Sequence, residues 1–208
     1  RAILHMDLDS FFVSVERLRN SSLIGKPLII GGDSVRGVVS SCSYEARRFG
    51  VQSAMSMKMA KRLCPDAIVL RGDMEEYSKY SHLVTEVITD ESPTFEKASI
   101  DEFYIDLTGM DRHFGCYRWS LQLTDKIVKE TGLPISFGLS VNKLVSKIGA
   151  GEGKPQGRVQ VERGDEREFL APLSTSKMPG IGTETVSYTH LRAHETGRNL
   201  VCRLLLEK

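Results

Sequence analysis

Apolar and polar positions along the chain follow two periods, and the segments with each period take turns. "AILHMDL" (2–8) is a continuous apolar run and predicts a buried strand, and "FFVSVERLR" (11–19) repeats its apolar residues at helical spacing behind Asp9 or Ser10 as a cap. "KPLIIGG" and "GVVSSC" predict two strands around a turn, "SYEARRFG" a short helix closed by Gly50, and "SMKMAKRLCP" a helix stopped before Pro65. After the strand "AIVLRG", the stretch "MEEYSKYSHLVTEVITDES" is a long amphipathic helix, and "FEKASIDEFYIDL" is two strands around a tight reversal. "YRWSLQLTDKIVKETG" is a helix ending at Gly132, "PISFGLSV" a strand, "NKLVSKIGA" a helix behind an Asn142 cap, "GRVQV" a strand, and "DEREFLAPL" opens a new helical region. Strands and helices alternate, so the class is α/β or α+β.

Composition narrows this only a little. The 208 residues suffice for one large domain or two small ones, and 40% hydrophobic with 26% charged residues is ordinary for a globular protein. A net charge of +1 neither demands nor excludes a nucleic-acid partner. No run approaches the ~20 apolar residues of a membrane span, and "RAILHMD" is too short and too charged for a signal peptide, so a cytoplasmic setting without a membrane partner is expected. Cys42, Cys64, Cys116 and Cys202 form no CxxC pair, which argues against zinc and a disulfide scaffold. The first residue is arginine, which reads as a clipped start.

Two groups of carboxylates stand out. Asp7 and Asp9 close the first apolar run, and Asp101 and Glu102 are adjacent ahead of the apolar "FYIDL". Neighbours in a straight strand point to opposite faces, so Asp101 and Glu102 serve one site only at a bend. If that hairpin pairs beside the first strand, Asp7, Asp101 and Glu102 meet, and three close anions call for a cation. Oxygen-only ligands suit Mg²⁺, which keeps waters and takes one or two carboxylates together with substrate phosphates. Taken singly, the same residues read as solvated turn acids.

A set of phosphate-binding types accompanies them. "SSCSYEARRFG" places Ser40, Ser41, Tyr44, Arg47 and Arg48 around one loop and its helix, with Tyr44 and Arg47 three apart on one face. Hydroxyl and guanidinium donors on such a face suit a triphosphate, though an exposed basic helix looks the same. "GEGKPQG" adds Lys154 in a Gly/Pro-rich loop that lacks Walker spacing.

In order along the chain, "MDLDSFF", "SYEARRFG", "SIDEFYIDLTG", "GLSVNKLVSKIG", "GKPQG" and "PGIG" closely resemble the Y-family translesion DNA polymerases, in particular the DinB-like branch, from residue 1 to about Gly182. The resemblance implies a ferredoxin-like palm with inserted fingers and a truncated helical thumb. Its boundaries would be palm at 1–20 and 73–163, fingers at 21–72, and the start of a thumb with a helix-hairpin-helix at 164–184. It implies template-directed nucleotidyl transfer from a dNTP to a primer 3′-hydroxyl with two Mg²⁺ ions. By that resemblance Asp7, Asp101 and a main-chain oxygen at Leu8 bind the metals, and Glu102 completes the acidic site as the catalytic residue. Ser41, Tyr44, Arg47 and Lys154 would hold the triphosphate, and Phe12 would discriminate against the 2′-hydroxyl while Phe11 packs in the core. Primer–template DNA is the implied partner of a monomer, with a sliding clamp bound by the full-length protein.

The other stretches have plainer readings. Met55, Met57 and Met59 are a packing surface, and His5 is a strand histidine. Lys143 and Lys147, four apart, form a solvated helix face on sequence alone, while the family places that helix beside the active site and primer. "PGIG", with Gly180 and Gly182, offers backbone amides to DNA phosphate, or is simply a turn. From about Thr185 the resemblance stops, so residues 185–208 are expected to be a non-native tail and the little finger to be absent. Two other classes remain open: a non-catalytic DNA-binding relative, which should have lost its acids, and a nucleotidyl cyclase, which should lack "SYEARRFG" and "PGIG".

Overall fold

The computed structural model describes residues 1–32, 34, 36–92, 94–110 and 115–181. The chain divides into two units, Arg1–Glu166 and Arg167–Lys208.

The first unit is built on a five-stranded sheet in the order β5-β6-β1-β7-β8. Its strands are β1 (Ile3–Leu8), β5 (Phe95–Lys97), β6 (Glu102–Asp106), β7 (Ile135–Ser140) and β8 (Arg158–Gln160). β1 is central, antiparallel to β6 and β7, and β7 is parallel to β8. Without β8, the order is that of a split β-α-β, ferredoxin-like sheet.

Register explains how one short strand serves two purposes. Met6 lies opposite Phe103 and Phe137, and Leu4 opposite Ile105 and Leu139. These side chains share one face, which is buried with residues of α4 (Met74–Glu91) and α5 (Cys116–Thr131), among them Tyr77, Val84, Ile88, Leu123 and Ile127. The alternate positions, Ile3, His5 and Asp7, lie opposite Asp106, Tyr104 and Glu102 on the other face. α6 (Lys143–Gly153) covers part of that second face, started by the Asn142 side chain, which accepts from the Val145 amide at 2.9 Å. It lies so close to β7 that a Cβ on Gly138 would stand 2.0 Å from the Ser146 carbonyl oxygen.

A three-stranded sheet, order β3-β2-β4, is inserted between α1 (Phe11–Arg19) and α4. It comprises β2 (Leu28–Gly31), β3 (Val39–Cys42) and β4 (Ile68–Leu70), and carries α2 (Tyr44–Arg47) and α3 (Met57–Leu63) around a core of Ile29, Val39, Val51 and Met57. Of the three methionines expected on a packing surface, Met57 is buried and Met59 is exposed. No helix among the described residues is long and apolar enough to cross a membrane.

In the second unit the chain forms the last part of α7 (Glu166–Leu170) and a 3₁₀ turn at Thr175–Lys177. The turn at Gly180 has φ of 83°, and Gly182 and residues 185–208 lie outside the described residues.

Candidate active site

The C-terminal end of β1 places Asp7 opposite Glu102, at the first residue of β6. Asp101 sits in the bend just before it, tied to β1 by the Leu8 amide, which donates to the Asp101 carbonyl at 3.0 Å. The Ser99 hydroxyl donates to the Asp101 carboxylate at 2.6 Å. The bend inferred from the adjacency of the two acids is therefore present. It brings Asp7 and Asp101 to one cleft of about 150 Å³, with Leu8, Phe12 and, from the smaller sheet, Ser41 and Arg47. Lys154 also lines the cleft.

Each acid has a cationic partner or a close donor. Lys154 forms an ion pair with Asp7, and Lys147 reaches both oxygens of Glu102 at 2.7 and 2.8 Å. Burial pushes the Asp7 carboxyl up to about 6; Lys154 works against this, and the charges of Asp101 and Glu102 add to it. The three carboxylates do not close around one point. Glu102 is drawn to Lys147, and no group of three His, Cys, Asp or Glu among the described residues could hold an ion unaided. Two carboxylates and a main-chain oxygen with waters do fit Mg²⁺ by the chemistry of the donor set.

Lys143 is exposed, as expected of a solvated helix face, while Lys147 is half-buried. Lys143 pairs with Glu96 and lies 5.1 Å from the centre of the Tyr104 ring, so both lysines meet acids of the sheet beside them. His5 is buried on the same face, with its ring 4.6 Å from that of Tyr104. Burial, helped by Lys147 and Lys154, lowers it to about 3, so it stays neutral.

On the opposite wall, the Arg47 guanidinium stacks 4.9 Å from the centre of the ring of Tyr44, with which it shares the helix face that their spacing of three predicted; Tyr44 itself does not line the cleft. Burial, then the charge of Asp9, pushes the Tyr44 phenol up to about 12. Ser43, not named from sequence, caps α2 by accepting from the Ala46 amide at 3.2 Å. Phe11 is buried in the core, while Phe12 lies only partly buried at the cleft. Phe12 stacks on Tyr77 with ring centres 4.2 Å apart and planes 12° apart, and the Tyr77 hydroxyl donates to Glu16 at 2.8 Å. Tyr77 was visible in the sequence only as an apolar position of an amphipathic helix.

Asp9 and Ser10 are the two candidate caps of α1, and neither side chain caps it. Ser10 occupies the N-cap position of α1 with φ of 43° and makes no side-chain cap, and the Asp9 carboxylate is engaged elsewhere.

A ferredoxin-like sheet with acids at one end of its central strand, facing basic and hydroxyl groups from an inserted module, agrees with the comparisons. The chain belongs to the impB/mucB/samB family, whose model matches residues 6–151. It is 44% identical over 186 residues to DNA polymerase IV of Treponema denticola, covering 89% of this chain and 47% of that protein. It is 42% identical over 207 residues to DNA polymerase IV of Lactococcus lactis subsp. cremoris, covering 96% and 56%. Among solved structures it is similar to an insertion ternary complex of Dbh DNA polymerase (28% identity, TM-score 0.83, 92% of this chain and 58% of that one). It is equally similar to DinB from Sulfolobus solfataricus (28% identity, TM-score 0.83, 92% and 57%). The chain spans about half the length of these curated relatives. The resemblance to DinB-like Y-family polymerases noted from the motifs thus holds across the fold.

Proposed function

We propose that this chain carries the palm and fingers of a template-directed DNA polymerase of the lesion-bypass kind. The reaction is attack of a primer 3′-hydroxyl on the α-phosphorus of a dNTP, with pyrophosphate leaving. The observation that carries the reading is the cleft with Asp7 and Asp101 on one side and Ser41 and Arg47 on the other, with Lys154 at the carboxylates. The relatives named DNA polymerase IV support it. In this reading the five-stranded sheet is palm (residues 1–20 and 73–163), the inserted sheet is fingers (21–72), and residues 164–184 open a thumb.

Asp7, Asp101, Glu102 and the Leu8 main-chain oxygen would hold two Mg²⁺ ions, which when bound supply Lewis-acid stabilisation of phosphate charge. Tyr44, Ser41, Arg47 and Lys154 hold the β- and γ-phosphates and offset the charge that builds on the leaving pyrophosphate. Lys154 passes from Asp7 to the triphosphate, and the acids are freed as the nucleotide enters. The Phe12 ring lies under the sugar and excludes a 2′-hydroxyl. Lys143, Lys147, Gly180 and Gly182 contact the DNA backbone. The full-length protein acts as a monomer in the cytoplasm, on primer–template DNA, with a sliding clamp as a further partner.

Primer extension by a full-length version, with and without Mg²⁺, is the test. Asp7→Ala and Glu102→Ala should each abolish extension while DNA affinity, which comes mainly from phosphate contacts elsewhere, is largely retained. Near-normal extension by both variants refutes the reading.

A further inference from the structure

Asp9 is only 1% exposed, yet it is a carboxylate and the cleft does not reach it. Both of its oxygens accept from the Ser136 hydroxyl of β7 at 2.9 Å. Oδ2 also accepts from the Gln156 backbone amide at 2.6 Å, and Oδ1 from the Tyr44 phenol at 3.4 Å. Its own main chain is fixed as well: the Asp9 amide donates to the Pro134 carbonyl at 2.8 Å, and its carbonyl accepts from the Ser14 hydroxyl at 2.7 Å. Ser136 in turn accepts from the Gly157 amide at 3.0 Å.

These bonds have a direction. Asp7 holds Lys154, and two residues on, Asp9 holds Gln156. The segment that carries Lys154 is therefore pinned beside residues 7–9 by two carboxylates in step. Gln156 has φ of 52°, a backbone shape a non-glycine residue keeps only when neighbours hold it. The same Asp9 carboxylate reaches across to Tyr44 at the start of α2 in the other sheet.

We propose that Asp9 is a positioning residue for the nucleotide. Its carboxylate sets Lys154, through Gln156 and Ser136, and Tyr44, beside the cleft-lining Arg47, relative to the acids of β1, so that both meet one triphosphate. This rests on the polymerase reading above and adds to it a role for a carboxylate that touches neither metal nor substrate. The donors to Asp9 are a hydroxyl, a phenol and a backbone amide, and they engage both of its oxygens.

The experiment measures binding of dATP with Mg²⁺ to the chain and to its variants. Misplacing binding groups by about 1 Å is costly, so Asp9→Ala should weaken dATP about tenfold or more. Asp9→Asn, which keeps an acceptor for the Gln156 amide, should recover part of that loss and guards against a simple failure to fold. The decisive comparison is coupling: in a Lys154→Ala, Tyr44→Phe background, Asp9→Asn should cost almost nothing more, because the groups it sets are gone. Hydrogen exchange tests the geometry without nucleotide, since the Gln156 amide should exchange faster in Asp9→Ala. An Asp9 loss of the same size in both backgrounds, or an unchanged Gln156 amide, overturns the inference. If the unmodified chain binds no dATP, the polymerase reading falls and this one with it; binding that ignores Asp9 overturns this one alone.

Discussion

One methyl group at Gly138 should do more damage than its size suggests. In the fold its Cβ would stand 2.0 Å from the Ser146 carbonyl oxygen and 2.6 Å from the Ala150 amide nitrogen. Both atoms are backbone of α6, so no side chain can rotate away. Ordinary contact needs roughly 3.5 Å, so α6 must lift by about 1 Å or more from β7. Overpacking of this kind costs about 1–3 kcal/mol, occasionally more, and the rigid partner puts Gly138→Ala at about 3 kcal/mol or above. The helix that lifts is the one whose Lys147 meets Glu102, so the site is disturbed with the core. Gly151 is the control. It lies in the same helix with nothing within 4 Å of its would-be Cβ. There Gly→Ala should stabilise by about 0.5 kcal/mol through helix propensity alone. Urea unfolding of the two variants and the parent measures both. A Gly138→Ala variant within about 0.5 kcal/mol of the parent would refute the close-packing argument.

Three further outcomes are expected. Asp7 is raised to about 6 in the fold, so its protonated form favours the native state: stability in EDTA should rise as pH falls from 7 towards 4, by at most about 3 kcal/mol. Asp7→Asn should flatten this part of the profile in urea unfolding, and an unchanged slope would remove Asp7 as its source. Phe12→Ala in a full-length polymerase should cut the ratio of kcat/KM for deoxy- over ribonucleotide by about tenfold or more, and an unchanged ratio would make Phe12 a packing residue. Asn142→Ala removes the acceptor of the Val145 amide and should cost about 1 kcal/mol in thermal or urea unfolding; no loss would show that water caps α6 as well.

What could be read from the chain and what could not differ in range. The apolar run at 3–8 and the adjacent Asp101 and Glu102 are local features, and the sheet puts them side by side. The Tyr44–Arg47 stack follows from a spacing of three. The spacing of Lys143 and Lys147 shows a helix face but not the Lys147–Glu102 pair, whose members lie 45 residues apart. Local pattern offers Asp9 or Ser10 to the nearest backbone amides, whereas the partners of Asp9 lie 35, 127 and 147 residues on. Tyr77 beneath Phe12 was hidden for the same reason, since helical period tells that a ring is inside but not which ring it meets. Local pattern reveals which groups are present; the long-range pairings that orient them appear only in the folded chain.

The position of β1 also bears on how such a chain is made. The first strand to be synthesised is the middle one of its sheet, and its neighbours are Glu102–Asp106 and Ile135–Ser140. At ribosomal speeds of about 5–20 residues per second, the strand waits on the order of ten seconds before both edges can be covered. During that interval an apolar segment with at least one open edge is available to any other strand nearby. Asp7, a charge at the end of that segment, is well placed to discourage such pairing before it has any partner of its own.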